Sequence, residues 1–509
     1  MPVPQPTPTP ASAERLDAQS DRVFEGVCAA IVDGRLVAEA RLEVAWLAAE
    51  YGASERAVDM AIARLHALDL LWGYSGSASV RKEAKARVEA FDAYATSLPA
   101  LAQERAAPAA DEAPWLAQGE PVHLPADLRF QTFASRRHPK PVATVDVPTS
   151  WARLHACIDL RVDKESSDPS LRQGLHRMIL RAQSAQAPET SDVEADALLL
   201  ALAFRVGSSV GEDAASAVID YLIAARGLRE TVDLYLAAQS FQVVVDSVPG
   251  LAARAFRFTC DPEEALGRGS EGPLGSGEDR LRAHLAAASE EMWADCVARI
   301  ESALPRVAPI RQPSLALLLP DRPDLSNAVA LGLADHPEPL YSLRFLLLTA
   351  TDPAAQAALR KAQGRAVSPF SARRMALSLV MERGMAAVDL LAADAELTAA
   401  GEALSLIGTP EAVAALARVA RSSDAAMARL ELALDRWPLA GIVALTGAVA
   451  QGGREVGLLL PKLLRLLRAH RAEAEALRPW MSGAARSLFD QRLALIDAAL
   501  PMAPALALP

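Results

Sequence analysis

The sequence has few of the residues that usually form a metal or redox centre. It contains four cysteines and eight histidines among 509 residues, and the histidines show no H-E-x-x-H pattern and no close cluster with Cys, Asp or Glu. The cysteines are far apart and form no C-x-x-C pair: Cys28, Cys157, Cys260 and Cys296. We therefore expect buried, reduced thiols, no disulfide framework, no metal site and no cofactor.

Long apolar runs are also missing. No uninterrupted run reaches the ~18 residues that a membrane-spanning helix needs. The best candidates, Leu198 to Phe204 and Leu439 to Val449, are short or interrupted by polar residues and glycine. The amino-terminal residues Met1 to Pro10 alternate proline with small polar residues and contain no apolar signal-peptide core. These absences favour a cytoplasmic protein without a membrane partner.

Aromatic residues make up only 5% of the chain, and β-branched residues are sparse. Alanine and leucine supply most of the 51% apolar share, and both lose little side-chain freedom in a helix. The composition and length therefore predict a mainly α-helical protein of about two to four domains. The formal net charge of −11 argues against a protein that coats nucleic acid or an anionic membrane non-specifically.

The segment after the amino-terminal tail has the order helix, helix, turn, helix, hairpin. Gly52 predicts a tight turn, and Ser54 is expected to be the N-cap of the helix that follows it. The apolar periodicity and the turn residues define the remaining elements. The expected helices are Val23–Val32, Leu42–Tyr51 and Ser54–Ala67, and the expected hairpin is Trp72–Val80.

A series of motifs runs through this segment: Ile31–Leu36, Arg41-Leu42, Leu47–Ser54, the apolar residues Val58, Ala61, Leu65, Leu68 and Leu70-Leu71, and then Gly76 and Val80. Through these motifs, about residues 21–88 resemble the winged helix-turn-helix domain of the GntR regulators. The resemblance implies a winged helix that either reads DNA or docks a protein.

The charges of this segment bear on that choice. In the GntR pattern, the residue after the turn serine and the residue after the helix valine are commonly basic, whereas here they are Glu55 and Asp59. Residues 22–88 contain nine acidic and nine basic side chains, although a DNA-reading module is usually distinctly positive. If the domain does bind DNA, the expected contact residues are Ser54, Arg56, Arg64, Arg81 and Lys82.

Changes in composition predict the domain boundaries. Proline enrichment and a loss of periodicity predict a linker, and amphipathic helices then follow one another from Trp151. A segment with five glycines separates two helical sub-domains. The expected divisions are a disordered tail (1–12), a winged-helix domain (13–97), a proline-rich linker (98–150), a helical sub-domain (151–266), a glycine-rich loop (267–277) and a helical-repeat domain (278–509).

Several later helices open with an N-cap residue followed by proline, as in Asp261-Pro262, Asp352-Pro353 and Thr409-Pro410. The recurrence predicts stacked helix pairs, an α-α superhelical (HEAT-like) repeat body. Three further motifs are Gly408–Ala412, Arg436–Ala440 and Leu463–His470. Through them, about residues 280–500 distantly resemble the helical-repeat part of the bacterial molybdate-metabolism-regulator-like proteins, which implies a regulatory role without a defined chemistry.

Two short motifs match catalytic patterns but lack the structural context that the chemistry needs. Gly207–Gly211 spells the G-x-S-x-G nucleophile elbow around Ser209, but the preceding run favours a helix where the elbow needs a strand. The histidines downstream that such a hydrolase could use as a base are His284, His336 and His470. Gly267–Gly272 matches G-x-G-x-x-G, but a proline and further glycines follow it. An αα-turn and a flexible loop are the expected structures.

Two basic segments have a structural and a functional interpretation. The loop Ser135–Lys140, around His138, is expected to be a solvated linker, or alternatively a contact for phosphate or for an acidic partner. The row Lys462, Arg465, Arg468 and Arg471 is expected to be the solvated side of a core helix, or alternatively to dock an acidic partner surface.

These patterns favour a non-enzymatic regulatory or interaction protein. In this hypothesis a helical-repeat scaffold carries a winged-helix module that docks a protein partner. The alternative is a DNA-binding transcriptional regulator of GntR type, and a serine hydrolase is the remote alternative.

Overall fold

The fold is mainly α-helical, as the composition predicts. The computed structural model describes residues 10–68, 70–72, 78–97, 113–118, 121–142, 145–206, 214–247, 254–261, 274–336, 340–363 and 368–499. No helix in these ranges is long and apolar enough to cross a membrane. The chain divides into two compact units: unit 1 comprises Met1–Thr132 and Phe370–Pro509, and unit 2 comprises Phe133–Pro369. These divisions differ from the expected boundaries at residues 97, 150, 266 and 277.

The amino-terminal part of unit 1 packs helices against a small antiparallel sheet with the strand order β1-β3-β2. Gly52 has a φ of 58° and ends α2 in the left-handed conformation. Ser54 is the N-cap of α3, as expected, because its hydroxyl accepts a hydrogen bond from the amide of Ala57. The elements are α1 (Pro10–Val32), β1 (Arg41–Leu42), α2 (Val44–Tyr51), α3 (Glu55–Ala67), β2 (Leu71–Trp72), β3 (Ala78–Val80) and α4 (Ala84–Ser97).

Residues 121–132, which we call the strap, are ordered, although the sequence pattern places them in a linker. The amide of His123 donates to the carbonyl of Leu406, and Leu124 is buried beside that residue. The helix α5 (Ala126–Gln131) places the ring of Phe130 within 6 Å of two aromatic rings of α4, those of Phe91 and Tyr94. The linker prediction is therefore wrong for the strap, because its buried and partly buried apolar side chains pack against the amino-terminal and the carboxy-terminal parts of unit 1.

The carboxy-terminal part of unit 1 is a series of short helices with alanine and leucine cores. Thr409 caps α18 through its hydroxyl, and the proline that follows is the first residue of that helix, as expected. Gly408 and Trp437, from two of the motifs quoted above, lie in contact. The helices are α15 (Arg373–Arg383), α16 (Val388–Leu391), α17 (Thr398–Leu404), α18 (Pro410–Val419), α19 (Asp424–Arg436), α20 (Pro438–Gln451), α21 (Val456–Ala469), α22 (Arg471–Ala474) and α23 (Gly483–Ala499).

Unit 2 is helical with one hairpin. The sequence pattern predicts that a helix ends at Arg226 with Gly227 as its C-cap, and Gly227 does break α9, with a φ of 82°. The sequence pattern predicts helix as far as Val248, but the chain forms β4 from Gln242, paired antiparallel with β5. The elements are α6 (Val147–Cys157), α7 (Arg172–Ala182), α8 (Val193–Val206), α9 (Ala214–Ala238), β4 (Gln242–Ser247), β5 (Arg254–Thr259), α10 (Ser276–Ala287), α11 (Glu290–Ala303), α12 (Gln312–Leu317), α13 (Pro323–Gly332) and α14 (Pro353–Gln363).

The basic loop Ser135–Lys140 is attached to unit 2. The guanidinium of Arg136 donates to the carbonyl of Ala288 at 2.8 Å, and its backbone amide donates to the carboxylate of Asp321 at 2.9 Å. Close to the loop, Arg282 is only 1% exposed and donates to the carbonyl of Ala134. The solvated-linker interpretation is therefore wrong for the buried Ser135 and for Arg136, which bonds acceptors within unit 2, whereas Arg137 and Pro139 are exposed.

Candidate interaction surface

The helix α3 occupies the position of the expected DNA-reading helix. Its residue Arg64 is only 27% exposed, and its guanidinium donates to Asp21 at 2.6 Å and to Asp127 of the strap at 3.2 Å. The same guanidinium lies 4.2 Å from the centre of the Phe24 ring. The charge of Arg64 is therefore neutralised by two carboxylates of its own unit.

The other expected DNA contacts have different surroundings. The hydroxyl and the amide of Ser54 both donate to the side-chain carbonyl of Gln19, at 2.9 and 3.0 Å. Arg81 donates from Nε to the carbonyl of Leu71. Arg56 is exposed, and Lys82 is 75% exposed with its nitrogen 3.9 Å from the carboxylate of Glu39. Three of the five residues, Ser54, Arg56 and Lys82, are therefore exposed, and Arg56 and Lys82 are the two exposed cations among them.

Carboxylates dominate the exposed sides of α2 and α3. Glu43, Glu50, Glu55 and Asp59 are exposed. Within the described ranges no salt bridge joins any of the four to a basic side chain. Trp46 lies among them on α2 and is 44% exposed. The exposed charged side chains among residues 43–66 are therefore four carboxylates and one cation, Arg56.

The basic row along α21 and at the start of α22 is largely paired inside unit 1. Lys462 and Arg465 both contact Glu431 of α19, and Arg465 also lies 3.3 Å from Asp435. Arg471 contacts Asp497 of α23 at 2.7 Å. Arg468 is exposed. Three of the four cations in the row therefore join neighbouring helices.

Unit 2 contains a buried carboxylate surrounded by basic side chains. The side chain of Asp220 on α9 is 4% exposed and lies 2.6 Å from Arg280, 3.3 Å from Arg153 and 3.5 Å from His284. Burial acts to raise the pKa of Asp220, but the hydrogen bond with His284 and the charges of Arg280 and Arg153 hold that pKa below its usual value. The cluster fastens α9 to α6 and α10.

Three of the four cysteines have raised pKa values. Burial raises the pKa of Cys28 to about 12 and that of Cys296 to about 11. Cys260 is exposed at a polar groove of about 790 Å³ between α9 and α11, and desolvation raises its pKa as well. Cys157 is half-buried, so the expectation of buried thiols is wrong for Cys157 and for the exposed Cys260. All three raised pKa values favour the protonated thiol at neutral pH.

The catalytic motifs find little support in the described chain. Ser209 and the two glycine motifs, Gly207–Gly211 and Gly267–Gly272, lie outside the described residues. The chain before the first motif is the helix α8, which ends at Val206, and not the strand that a nucleophile elbow needs. Among the described residues, no group of three or more His, Cys, Asp or Glu side chains could hold a metal ion.

Sequence reasoning missed the residues that neutralise Arg64. Asp21 and Asp127 are 43 and 63 positions away from it. No local periodicity connects residues that are so far apart. The available signal was Asp127 itself, a carboxylate in the apolar run Leu124–Phe130 of an otherwise proline-rich segment.

Comparison with known proteins finds a family model that is similar to part of unit 2. The family described as "YehI second domain" matches residues 149–367, which lie within unit 2. The chain is also similar to the uncharacterized protein YehI of Escherichia coli strain K12, with 23% identity over 354 residues, covering 67% of this chain and 28% of that protein. The chain therefore spans less than a third of the length of this relative. No solved structure matches the chain.

Proposed function

We propose that the chain is a non-enzymatic interaction protein in which residues 13–97 form a winged helix that docks protein. The order of α1, α2, α3 and the paired strands β2 and β3 supports the winged-helix assignment. The observation that carries the docking role is the pairing of Arg64 with two carboxylates of the same unit. Its guanidinium is bonded to Asp21 and Asp127, whereas DNA affinity depends on basic side chains that are available to phosphates.

The strap and the carboxy-terminal helices support the same role. The strap helix α5 lies against α3 and α4, so the proposed winged helix already binds a peptide segment of its own chain. Consecutive helices from α18 to α21 pack on one another, and the connections between them are short. This arrangement supports a HEAT-like scaffold. A cytoplasmic location is part of the proposal and is supported by the buried, unpaired thiols of Cys28 and Cys296.

A GntR-type transcriptional regulator is the alternative. It is supported by Arg56 at the start of α3 and by Lys82 after β3, because both cations are exposed. These two residues give the alternative a direct test.

The test is an electrophoretic mobility shift of the full chain with mixed-sequence duplex DNA at low salt. We expect no shift beyond that of an equally acidic control protein. A shift that weakens steeply with salt, and that Arg56→Ala combined with Lys82→Ala abolishes, would overturn the docking role.

A further inference from the structure

An exposed tryptophan marks the solvent side of α2. Trp46 is 44% exposed, and the buried residue of this helix is Leu47. Glu43 and Glu50 lie three positions before and four positions after Trp46, so the three side chains share one side of the helix. Trp46 is one of several large hydrophobic side chains that are exposed among the described residues, and here the indole lies between two carboxylates.

The next helix also carries exposed carboxylates. Glu55 and Asp59 are four residues apart and therefore share a side of α3. The helical repeat places them on the flank of α3 opposite Arg64, the arginine that Asp21 and Asp127 neutralise. We call these five exposed residues on two successive helical segments the α2–α3 face: Glu43, Trp46, Glu50, Glu55 and Asp59.

The charge of this face is not compensated within the described residues. Its four carboxylates have no salt bridge there, and Arg56 is the exposed cation on the same two helices. The zero net charge of residues 22–88 therefore conceals an uneven distribution. The negative charge collects on the helix pair, while basic side chains such as Lys82 and Lys85 follow the sheet.

We propose that the α2–α3 face docks a lysine- and arginine-rich segment of a protein partner. The inference rests on the proposed function and names the chemistry of the partner. Complementary charge is the argument for this occupant, because four unpaired carboxylates repel a polyanion and attract basic side chains. Trp46 adds an apolar anchor, since an indole ring binds cationic side chains through its face and tryptophan often dominates the binding energy of an interface.

Peptide binding to the full chain tests this proposal. The probe is a fluorescein-labelled peptide of alternating lysine and arginine, and the readout is its anisotropy at several salt concentrations. We expect Glu55→Lys combined with Asp59→Lys to weaken binding about tenfold or more. We expect Trp46→Ala to weaken binding by a similar factor, because tryptophan often dominates the binding energy of an interface. Trp46 is exposed, so its removal should leave the core undisturbed.

A matched variant controls for the general acidity of the protein. Glu411 and Asp424 are also exposed acids in the first turn of a helix, on α18 and α19. Glu411→Lys combined with Asp424→Lys makes the same change of charge away from the face and should leave binding within about twofold of the wild type.

The outcomes separate the two proposals. Equal binding by the charge-reversed face and by the matched variant overturns the docking of a basic segment and leaves the protein-docking role intact. Duplex DNA that displaces the peptide, and that binds through Arg56 and Lys82, overturns the proposed function itself. Loss of peptide binding in the face variants alone, with unchanged thermal unfolding, supports both.

Discussion

The core of unit 2 and the carboxy-terminal core of unit 1 satisfy their buried polar side chains in different ways. In unit 2, the buried carboxylates Asp196 and Asp220 pair with arginines on other helices. In the carboxy-terminal helices of unit 1, the buried hydroxyls of Ser378 and Thr446 donate to carbonyls of their own helix. Arg429 is an exception there, and it donates to Thr398 of α17.

The difference shows which substitutions each core tolerates. A buried carboxylate that joins several helices cannot lose its charge without leaving basic partners uncompensated, even when its volume is kept. An apolar core responds to volume and shape, and tolerates chemical changes that keep both. Substitutions that hold volume constant therefore separate the two regions most sharply.

The largest effect is expected from Asp220→Asn. The change keeps the shape of the side chain but leaves Arg153 and Arg280 without their carboxylate, and we expect the free energy of unfolding to fall by about 3 kcal/mol. Urea unfolding of the full chain measures this loss. Asp335→Asn is the control, because its carboxylate and that of its partner Lys361 are almost fully exposed, and it should change stability by less than about 1 kcal/mol.

The pH dependence of the Asp220→Asn effect gives an independent check. The pKa of Asp220 is lowered in the folded protein, so its ionised form contributes stability fully above the unfolded pKa of about 4. That contribution is lost as the pH falls through the folded pKa. The wild type and the variant should therefore converge in acid, and a constant difference across that range would mean that the charge of Asp220 is not the cause.

The next effect tests shape in the apolar core. A Cβ added at Gly408 would lie 2.6 Å from the ring of Trp437, so Gly408→Ala should cost about 2 kcal/mol. Gly447→Ala is the matched control in α20, because nothing lies within 4 Å of its added Cβ. The control should stabilise the helix by about 0.5–1 kcal/mol, and equal effects of the two changes would contradict the tight contact.

Ser54, Gly227 and Thr409 show how much of this architecture could be predicted from the sequence. Each acts through backbone groups within a few residues, so a local pattern correctly predicts the cap or the break in the helix. The strap and the hairpin β4–β5 were missed for opposite reasons. The strap is held by long-range contacts, whereas the Val243–Val245 run was a local β signal that the surrounding helical pattern obscured.

The same difference between local patterns and long-range contacts applies to the candidate site. The acidic character of Glu55 and Asp59 could be read directly from their positions in the chain. The neutralisation of Arg64 could not, because it depends on where α1 and the strap fold back against α3. The local sequence determines which charged residues a helix face carries, whereas tertiary contacts determine whether those charges are available for binding.

Asp127→Asn should remove one of the two carboxylates that hold Arg64. Because Asp127 is 5% exposed and joins the strap to α3, we expect a loss of about 1.5 kcal/mol and faster hydrogen exchange in residues 121–132. The control Asp21→Asn removes the more exposed partner and should cost less. If the strap amides exchange no faster in Asp127→Asn, the apolar contacts of the strap alone hold it in place.

The smallest effect is expected from Leu445→Met, although this side chain is fully buried. Methionine keeps nearly the volume of leucine and adapts to its surroundings, so the cost should stay below about 1 kcal/mol. Urea unfolding under the conditions used for Asp220→Asn makes the comparison direct, since both changes conserve volume at a buried position. A cost equal to that of Asp220→Asn would mean that packing in the apolar core is as exacting as charge pairing in unit 2, and the proposed contrast between the two cores would be wrong.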